Sequence, residues 1–451
     1  MNQNCVLKFY NSTFSNRKWK SFLLLVVISA VLFSCKPTQK TLRHNGYSTK
    51  TMVISNKKTN RFSTGADNSE GYFPLLVGKR VGVITNQTGI VSYDSIYTMP
   101  DSGGMTHIEA YDRKKIHLVD FLVKNKINLQ KIYAPEHGFR GTADAGEHVI
   151  DGKDTKTGLP IISLYGENRK PKPEHLEGID VMIFDIQDVG ARFYTFISTL
   201  HYVMQACAEN KKTVIILDRP NPNGYYIDGP ILDTAFKSFV GMHPVPVVHG
   251  MTIAEYAQMI NGEHWLGDNL WCKIILLKVT GYDHNTLYPL PVKPSPNLPT
   301  SQSVYLYPSL CFFEGTDVSV GRGTDKPFQQ IGRPNFADGR IKFIPKVIPG
   351  ISDAPLYKNQ ICSGFDLTNF CDSYIVTSKR LYLYWLQGFY EKSTDKTKFF
   401  NNYFDKLAGT DQLRKQIIAG KSIEEIQKSW DEGLKKYKLM RKKYLLYKDF
   451  E

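Results

Sequence analysis

Apolar residues fall into short runs along most of this chain, separated by clusters of turn-forming residues. The runs at 80–86, 131–134, 159–164, 180–186, 213–217 and 273–279 have the length and the Val, Ile and Leu content of strands. Stripes at three-and-four spacing lie between them. Phe193, Phe196, Ile197, Leu200, Val203, Met204 and Cys207 predict an amphipathic helix, and the stretch 116–127 predicts another. Thr252-Ile-Ala-Glu255 has the form of a capping box ahead of an apolar run. Ser422-Ile-Glu-Glu425 opens a helix with Ile423, Ile426, Trp430, Leu434, Tyr437 and Tyr444 along one face. Such alternation predicts an α/β fold, a Rossmann-like and mostly parallel sheet with helices on both faces. Five prolines between Tyr288 and Thr300 exclude regular helix or central strand there and mark a boundary. The mixed signals beyond it predict a second, smaller α+β auxiliary domain, so the expected division is 71–301 and 302–451.

The first residues read as a targeting segment. Arg17, Lys18 and Lys20 precede an apolar run from Phe22 to Phe33 that is short for a bilayer span. It ends in Leu32-Phe33-Ser34-Cys35, which resembles a bacterial lipobox. That resemblance implies a signal peptide over 1–34, lipidation of Cys35, attachment to a membrane through the lipid, and a place in the cell envelope. Ordinary secretion with another cut site is the alternative. From 35 to 70 the composition of Lys, Thr, Ser and Asn reads as a flexible tether.

At 451 residues the chain exceeds what one hydrophobic core normally serves. Its 42% apolar and 22% charged content is that of a globular protein, which excludes a disordered chain. Loss of the leader removes four cations and no acids, lowering the formal charge from +14 to +10. A basic mature protein suits an acidic glycan, though solubility explains it equally well. No basic–aromatic cluster points to nucleic acid. Outside Cys5 and Cys35, the cysteines 207, 272, 311, 362 and 371 are odd in number and form no CxxC pair, so buried free thiols are expected.

Chemistry gathers where predicted strands end. In Ile132-Tyr-Ala-Pro-Glu-His-Gly-Phe-Arg-Gly141 a strand stops at Pro135, and Glu136, His137 and Arg140 follow in a Gly-punctuated turn. Ligands of open α/β sheets bind just beyond the carboxyl ends of strands. Glu136 is therefore the first choice for a proton donor, with a helix-capping acid or a structural ion pair to Arg140 as its bland reading. Asp185 and Asp188 end another strand, where they can also cap the next helix. Together with Glu314 and Asp317 they are the candidates for a second catalytic carboxylate, as glycoside cleavage requires. Asn86 can bind hydroxyls or close an Asx-turn, and Arg192 and Arg322 can meet a substrate carboxylate bidentately. No GxSxG, HExxH or P-loop is present, and the GxGxxG turn is missing. Neither a metal, a nucleotide nor any other cofactor is expected.

Six ordered blocks carry a specific likeness: Gly82-Val-Ile-Thr-Asn86-Gln-Thr-Gly89, Ala134-Pro-Glu136-His-Gly-Phe-Arg-Gly141, Phe184-Asp185-Ile-Gln-Asp188-Val-Gly-Ala-Arg192-Phe-Tyr194, Leu217-Asp-Arg-Pro-Asn-Pro222, Ser295-Pro-Asn297-Leu-Pro-Thr300 and Phe313-Glu314-Gly-Thr-Asp-Val-Ser-Val-Gly321-Arg-Gly-Thr324. With the tail Arg441-Lys-Lys-Tyr-Leu-Leu-Tyr447, the chain from Tyr72 onward resembles the NamZ-type exo-β-N-acetylmuramidases. The resemblance implies a Rossmann-like domain, an auxiliary domain and a cleft between them. It also implies release of N-acetylmuramic acid (MurNAc) from the non-reducing ends of peptidoglycan-derived MurNAc–GlcNAc glycans, with Glu136 as acid/base. By motif position, Asn86, His137, Arg140, Arg192, Tyr194, Asn297, Glu314 and Arg322 become the expected substrate contacts. The rival reading is a non-catalytic lipoprotein that binds muramyl sugars, since fold does not dictate function. An esterase or amidase lacks an identifiable nucleophile.

Overall fold

The computed structural model describes residues 62–100, 106–136, 138–139, 152–267 and 269–451, with two upstream strands, β1 (Thr38–Lys40) and β2 (Thr51–Ile54). The leader, Cys35, His137 and Arg140 lie outside the described residues.

The predicted apolar runs form β3 (Val81–Thr85), β6 (Leu129–Ala134), β8 (Pro160–Ser163), β9 (Val181–Asp185), β10 (Thr213–Leu217) and β11 (Lys273–Leu277). A hairpin of β4 (Ile90–Pro100) and β5 (Thr106–His117) and a two-residue strand β7 (Gly152–Lys153) are interposed. From β2 the central sheet runs β2-β11-β10-β9-β3-β6-β8-β7, parallel throughout except for β7 against β8. The chain lays β3, β6 and β8 in one direction, then returns past β3 to add β9, β10 and β11. This is the doubly wound order, and its switch point falls between β3 and β9. Their register sets Thr85 beside Asp185, so both strands end at one level.

Side-chain alternation explains why near-continuous apolar runs are needed. Val181, Ile183, Ile215, Leu217, Ile275 and Leu277 pack on one face. Met182, Phe184, Val214, Ile216, Ile274 and Leu276 pack on the other. Both faces are covered, as parallel sheets require. The second cluster continues without a break to Phe313, Phe389, Ile426 and Tyr444 of the C-terminal part. That part carries a three-stranded antiparallel sheet of β12 (Gln330–Arg333), β13 (Ile341–Phe343) and β14 (Cys362–Asp366) in the order β12-β14-β13, together with short helices.

Several boundaries differ from expectation. Thr51–Ile54 pairs with β11 instead of belonging to a tether, because its β-branched run extends the sheet beyond β11. The 116–127 helix begins only at Leu118, since Ile116 and His117 finish β5 and the His117 ring accepts the Val119 N–H as the cap. The β4–β5 hairpin lacks a clean period-two pattern and was not anticipated. The stripe from Ile423 to Tyr444 is divided into Ile423–Lys428 and Asp431–Lys442, where the Trp430 N–H tightens onto the Gln427 carbonyl. Both capping boxes, at Thr252 and Ser422, are formed. The five described cysteines are buried free thiols.

Candidate active site

Beyond β6 the chain turns sharply. The Gly138 N–H bonds the Pro135 carbonyl at 3.0 Å, and Gly138 adopts φ +74°, a conformation glycine enters without a Cβ clash. Glu136 stands in this turn on the wall of a cavity of about 530 Å³, within the range of small-molecule sites. Its Oε2 accepts the Thr195 hydroxyl at 2.5 Å, and its Oε1 has no hydrogen-bond partner among the described residues.

Thr195 opens the helix Phe196–Glu209, and Tyr194 before it donates its hydroxyl to the Pro294 carbonyl at 2.8 Å. The proline-rich stretch thereby forms the next wall, with Ser295, Asn297 and Leu298. Asn297 Nδ2 ties this wall to the Ile351 carbonyl at 2.6 Å. The helix Ser301–Leu310 and the turn Cys311–Gly315 add Tyr307 and Glu314 to the lining.

Arg322 donates Nε to Glu314 Oε1 at 2.6 Å and lies 5.1 Å over the Phe328 ring, and both ionic side chains remain about a quarter exposed. Burial opposes the Arg322 charge, but the Glu314 carboxylate outweighs it and the net shift is upward. Both terminal nitrogens of Arg322 are without a hydrogen-bond partner among the described residues. Tyr403, from the C-terminal part, completes the cavity. Its phenol is pushed up by burial and then by the neighbouring Cys311, Glu314 and Glu136.

The structure therefore brings Glu136, Tyr194, Asn297, Glu314 and Arg322 together. It does not bring Asn86, Asp185, Asp188 or Arg192 to the cavity wall. Asn86 closes an Asx-turn, its Oδ1 accepting the Thr88 N–H and hydroxyl. Asp185 is fully buried in a bidentate pair with Arg219, at 2.6 and 3.0 Å, so no oxygen is left for a substrate. Asp188 is buried behind Tyr194, with Oδ2 on the Gly190 N–H at 2.6 Å and His249 Nε2 at 3.8 Å. Burial pushes Asp188 up to about 7 and His249 down to about 3.

Arg192 is not a substrate handle either. Its guanidinium is wholly buried and donates to the carbonyls of Pro230, Val245, Leu407 and Ala408, bracing the C-terminal part against the sheet domain. Asp317 pairs with Arg333 at 2.7 Å and is likewise off the cavity wall. Thr195, Tyr165, Asp353 and Tyr403 line the cavity without having been singled out from the sequence. Thr195 carried a signal, a Thr directly before the apolar pair Phe196-Ile197. Nothing local to Tyr403 marks it.

The chain as a whole is similar to known proteins. The chain matches the family described as Exo-beta-N-acetylmuramidase NamZ, N-terminal, over residues 81–302 and its C-terminal counterpart over residues 305–447. The peptidoglycan beta-N-acetylmuramidase NamZ of Bacillus subtilis (strain 168) is 37% identical over 413 residues, covering 86% of this chain and 92% of that protein. A crystal structure of a DUF1343 family protein from Bacteroides fragilis NCTC 9343 superposes with a TM-score of 0.75 at 42% identity, covering 86% of this chain and 99% of that one. A second from the same organism gives 0.66 at 29%, covering 86% and 100%.

Proposed function

Since the chain belongs to the NamZ exo-β-N-acetylmuramidase family, we propose that it is a glycosidase releasing MurNAc from the non-reducing ends of peptidoglycan fragments, with Glu136 as acid/base. One observation carries the residue assignment. A carboxyl oxygen of Glu136 and the two terminal nitrogens of Arg322, all without protein partners among the described residues, belong to one cavity. MurNAc differs from N-acetylglucosamine by a lactyl ether that carries a carboxylate. A guanidinium fork held from behind by Glu314 suits that group, and a sugar lacking it leaves the fork unmatched.

In its acid form Glu136 gives its proton to the bridging oxygen as the bond from the anomeric carbon to that oxygen breaks, and the aglycone leaves as an alcohol. The resulting carboxylate then takes a proton from the water that attacks the anomeric carbon, which yields free MurNAc and restores the acid. Of the candidate second carboxylates only Glu314 shares the cavity, and there it is engaged by Arg322 and the Cys311 thiol.

Incubation with MurNAc–GlcNAc disaccharide is expected to release MurNAc catalytically. Glu136→Gln is expected to lower turnover by about 10²–10⁴-fold with the fold intact. Near wild-type turnover in that variant removes Glu136 from the mechanism, and stoichiometric binding without release identifies a receptor instead.

The leader supports a cell-envelope location with a lipid on Cys35. Acyl labelling of the expressed protein is expected, and Cys35→Ala should abolish it. A label that survives this substitution excludes the anchor.

A further inference from the structure

Thr195 holds the N-cap position of the helix Phe196–Glu209, where a threonine hydroxyl ordinarily accepts an N–H of the first turn. Here the side chain makes no cap bond. The Thr195 carbonyl takes the N–H groups of Ser198 and Thr199 at 3.0 Å each, and the hydroxyl turns to Glu136 Oε2. It is the only hydrogen-bond partner of the Glu136 side chain among the described residues.

We propose that Thr195 is the positioning residue of the acid/base: its hydroxyl pins one oxygen of Glu136 so that the other is presented to the glycosidic oxygen. This rests on the glycosidase reading above.

The two ends of the hydrogen bond differ in how firmly they are mounted. Glu136 stands in a turn on a side chain with three rotatable bonds, which by themselves leave its carboxyl free to sweep the cavity. Thr195 is β-branched and stiff at χ1. It is followed by Phe196 and Ile197, each 1% exposed in the core, and preceded by Tyr194, which is anchored on Pro294. The firmly mounted hydroxyl thus fixes the mobile carboxyl.

The proposal also places the proton. With the Thr195 O–H donated to Oε2, the acid form carries its hydrogen on Oε1, the oxygen left to the cavity. After the proton has been delivered, the same hydrogen bond stabilises the carboxylate that activates water. Because the hydroxyl does not cap its helix, deleting it removes no cap energy.

The test compares two substrates of different leaving-group demand. MurNAc–GlcNAc has a sugar alkoxide that must be protonated, whereas dinitrophenyl MurNAc has a leaving group that departs without a proton. Thr195→Val is expected to lower kcat/KM on the disaccharide by about 10–100-fold, as misplacement of a catalytic group does. On the dinitrophenyl substrate it is expected to lower kcat/KM by less than about 3-fold, since general-acid assistance is not needed there. Thr195→Ser, which keeps the hydroxyl, is expected to restore the disaccharide rate. Thr195→Ala serves if the valine variant does not fold. Equal losses on both substrates, or none on either, overturn the positioning role. Wild-type protein that releases no MurNAc from the disaccharide overturns the glycosidase reading itself, a separate result.

Discussion

Two arginines that look alike in the sequence end in opposite situations. Arg192 is enclosed, with its guanidinium bonded to four backbone carbonyls, while Arg322, on the cavity that Glu136 also lines, keeps two nitrogens without a partner among the described residues. Both follow a glycine-containing turn near acids, so local sequence offers no way to rank them. The partners that enclose Arg192 include Leu407, 215 positions away. On the proposed function, the fork of Arg322 is the group expected to tell MurNAc from N-acetylglucosamine. Arg322→Lys keeps the charge beside Glu314 but loses the planar fork. A charged hydrogen bond contributes about 1.5–3 kcal/mol, so kcat/KM on a MurNAc glycoside is expected to fall about 10–100-fold. The rate on the matching N-acetylglucosamine glycoside should change little, and equal falls on both would remove Arg322 from specificity. Asp185 and Glu136 teach the same lesson: both stand at strand ends, yet Asp185 is closed in an ion pair with Arg219, while the Glu136 side chain meets only the Thr195 hydroxyl among the described residues.

At the scale of elements, the strands and capping boxes were legible because their signals are local. A run such as Val181-Met-Ile-Phe-Asp185 states its own burial on two faces, and Ser422 with Glu425 states its own helix start. The turn after β6 is an element of this kind, and its glycine sets the bend. Gly138 at φ +74° makes the bend that presents Glu136, and an alanine there costs about 1–2 kcal/mol in that region of backbone space. Gly138→Ala is expected to lower the urea midpoint modestly and kcat/KM by about 10²-fold, since small misplacements of a catalytic group are costly. Unchanged values of both would show that the turn tolerates a Cβ. The β4–β5 hairpin and the divided C-terminal helix were not legible. The first is stabilised by backbone pairing that polar residues share, and the second is interrupted by a tight turn at Trp430 within an unbroken apolar stripe.

Across the whole molecule, one apolar cluster joins the sheet to the C-terminal helices, and buried charges inside it tie stability to pH. Asp188 ionises at the ordinary carboxylate value of 3.8 in the unfolded chain but only at about 7 in the folded protein, because burial disfavours its charge. Between those values the folded state holds more protons, so this residue makes stability fall as pH rises through that window. Thermal melts of Asp188→Asn should therefore gain on wild type from about pH 4 to about pH 7 and run level above it. A difference independent of pH would show that Asp188 is ionised throughout. The sequence by itself determined six strands of the central sheet, the two capped helix starts and the acids at strand ends, because those depend on residues a few positions apart. Only the tertiary structure decided which acids and arginines meet the cavity. Their partners, Arg219 for Asp185 and Thr195 for Glu136, lie 34 and 59 positions along the chain, and the packing of the sheet alone brings them within a hydrogen bond's reach.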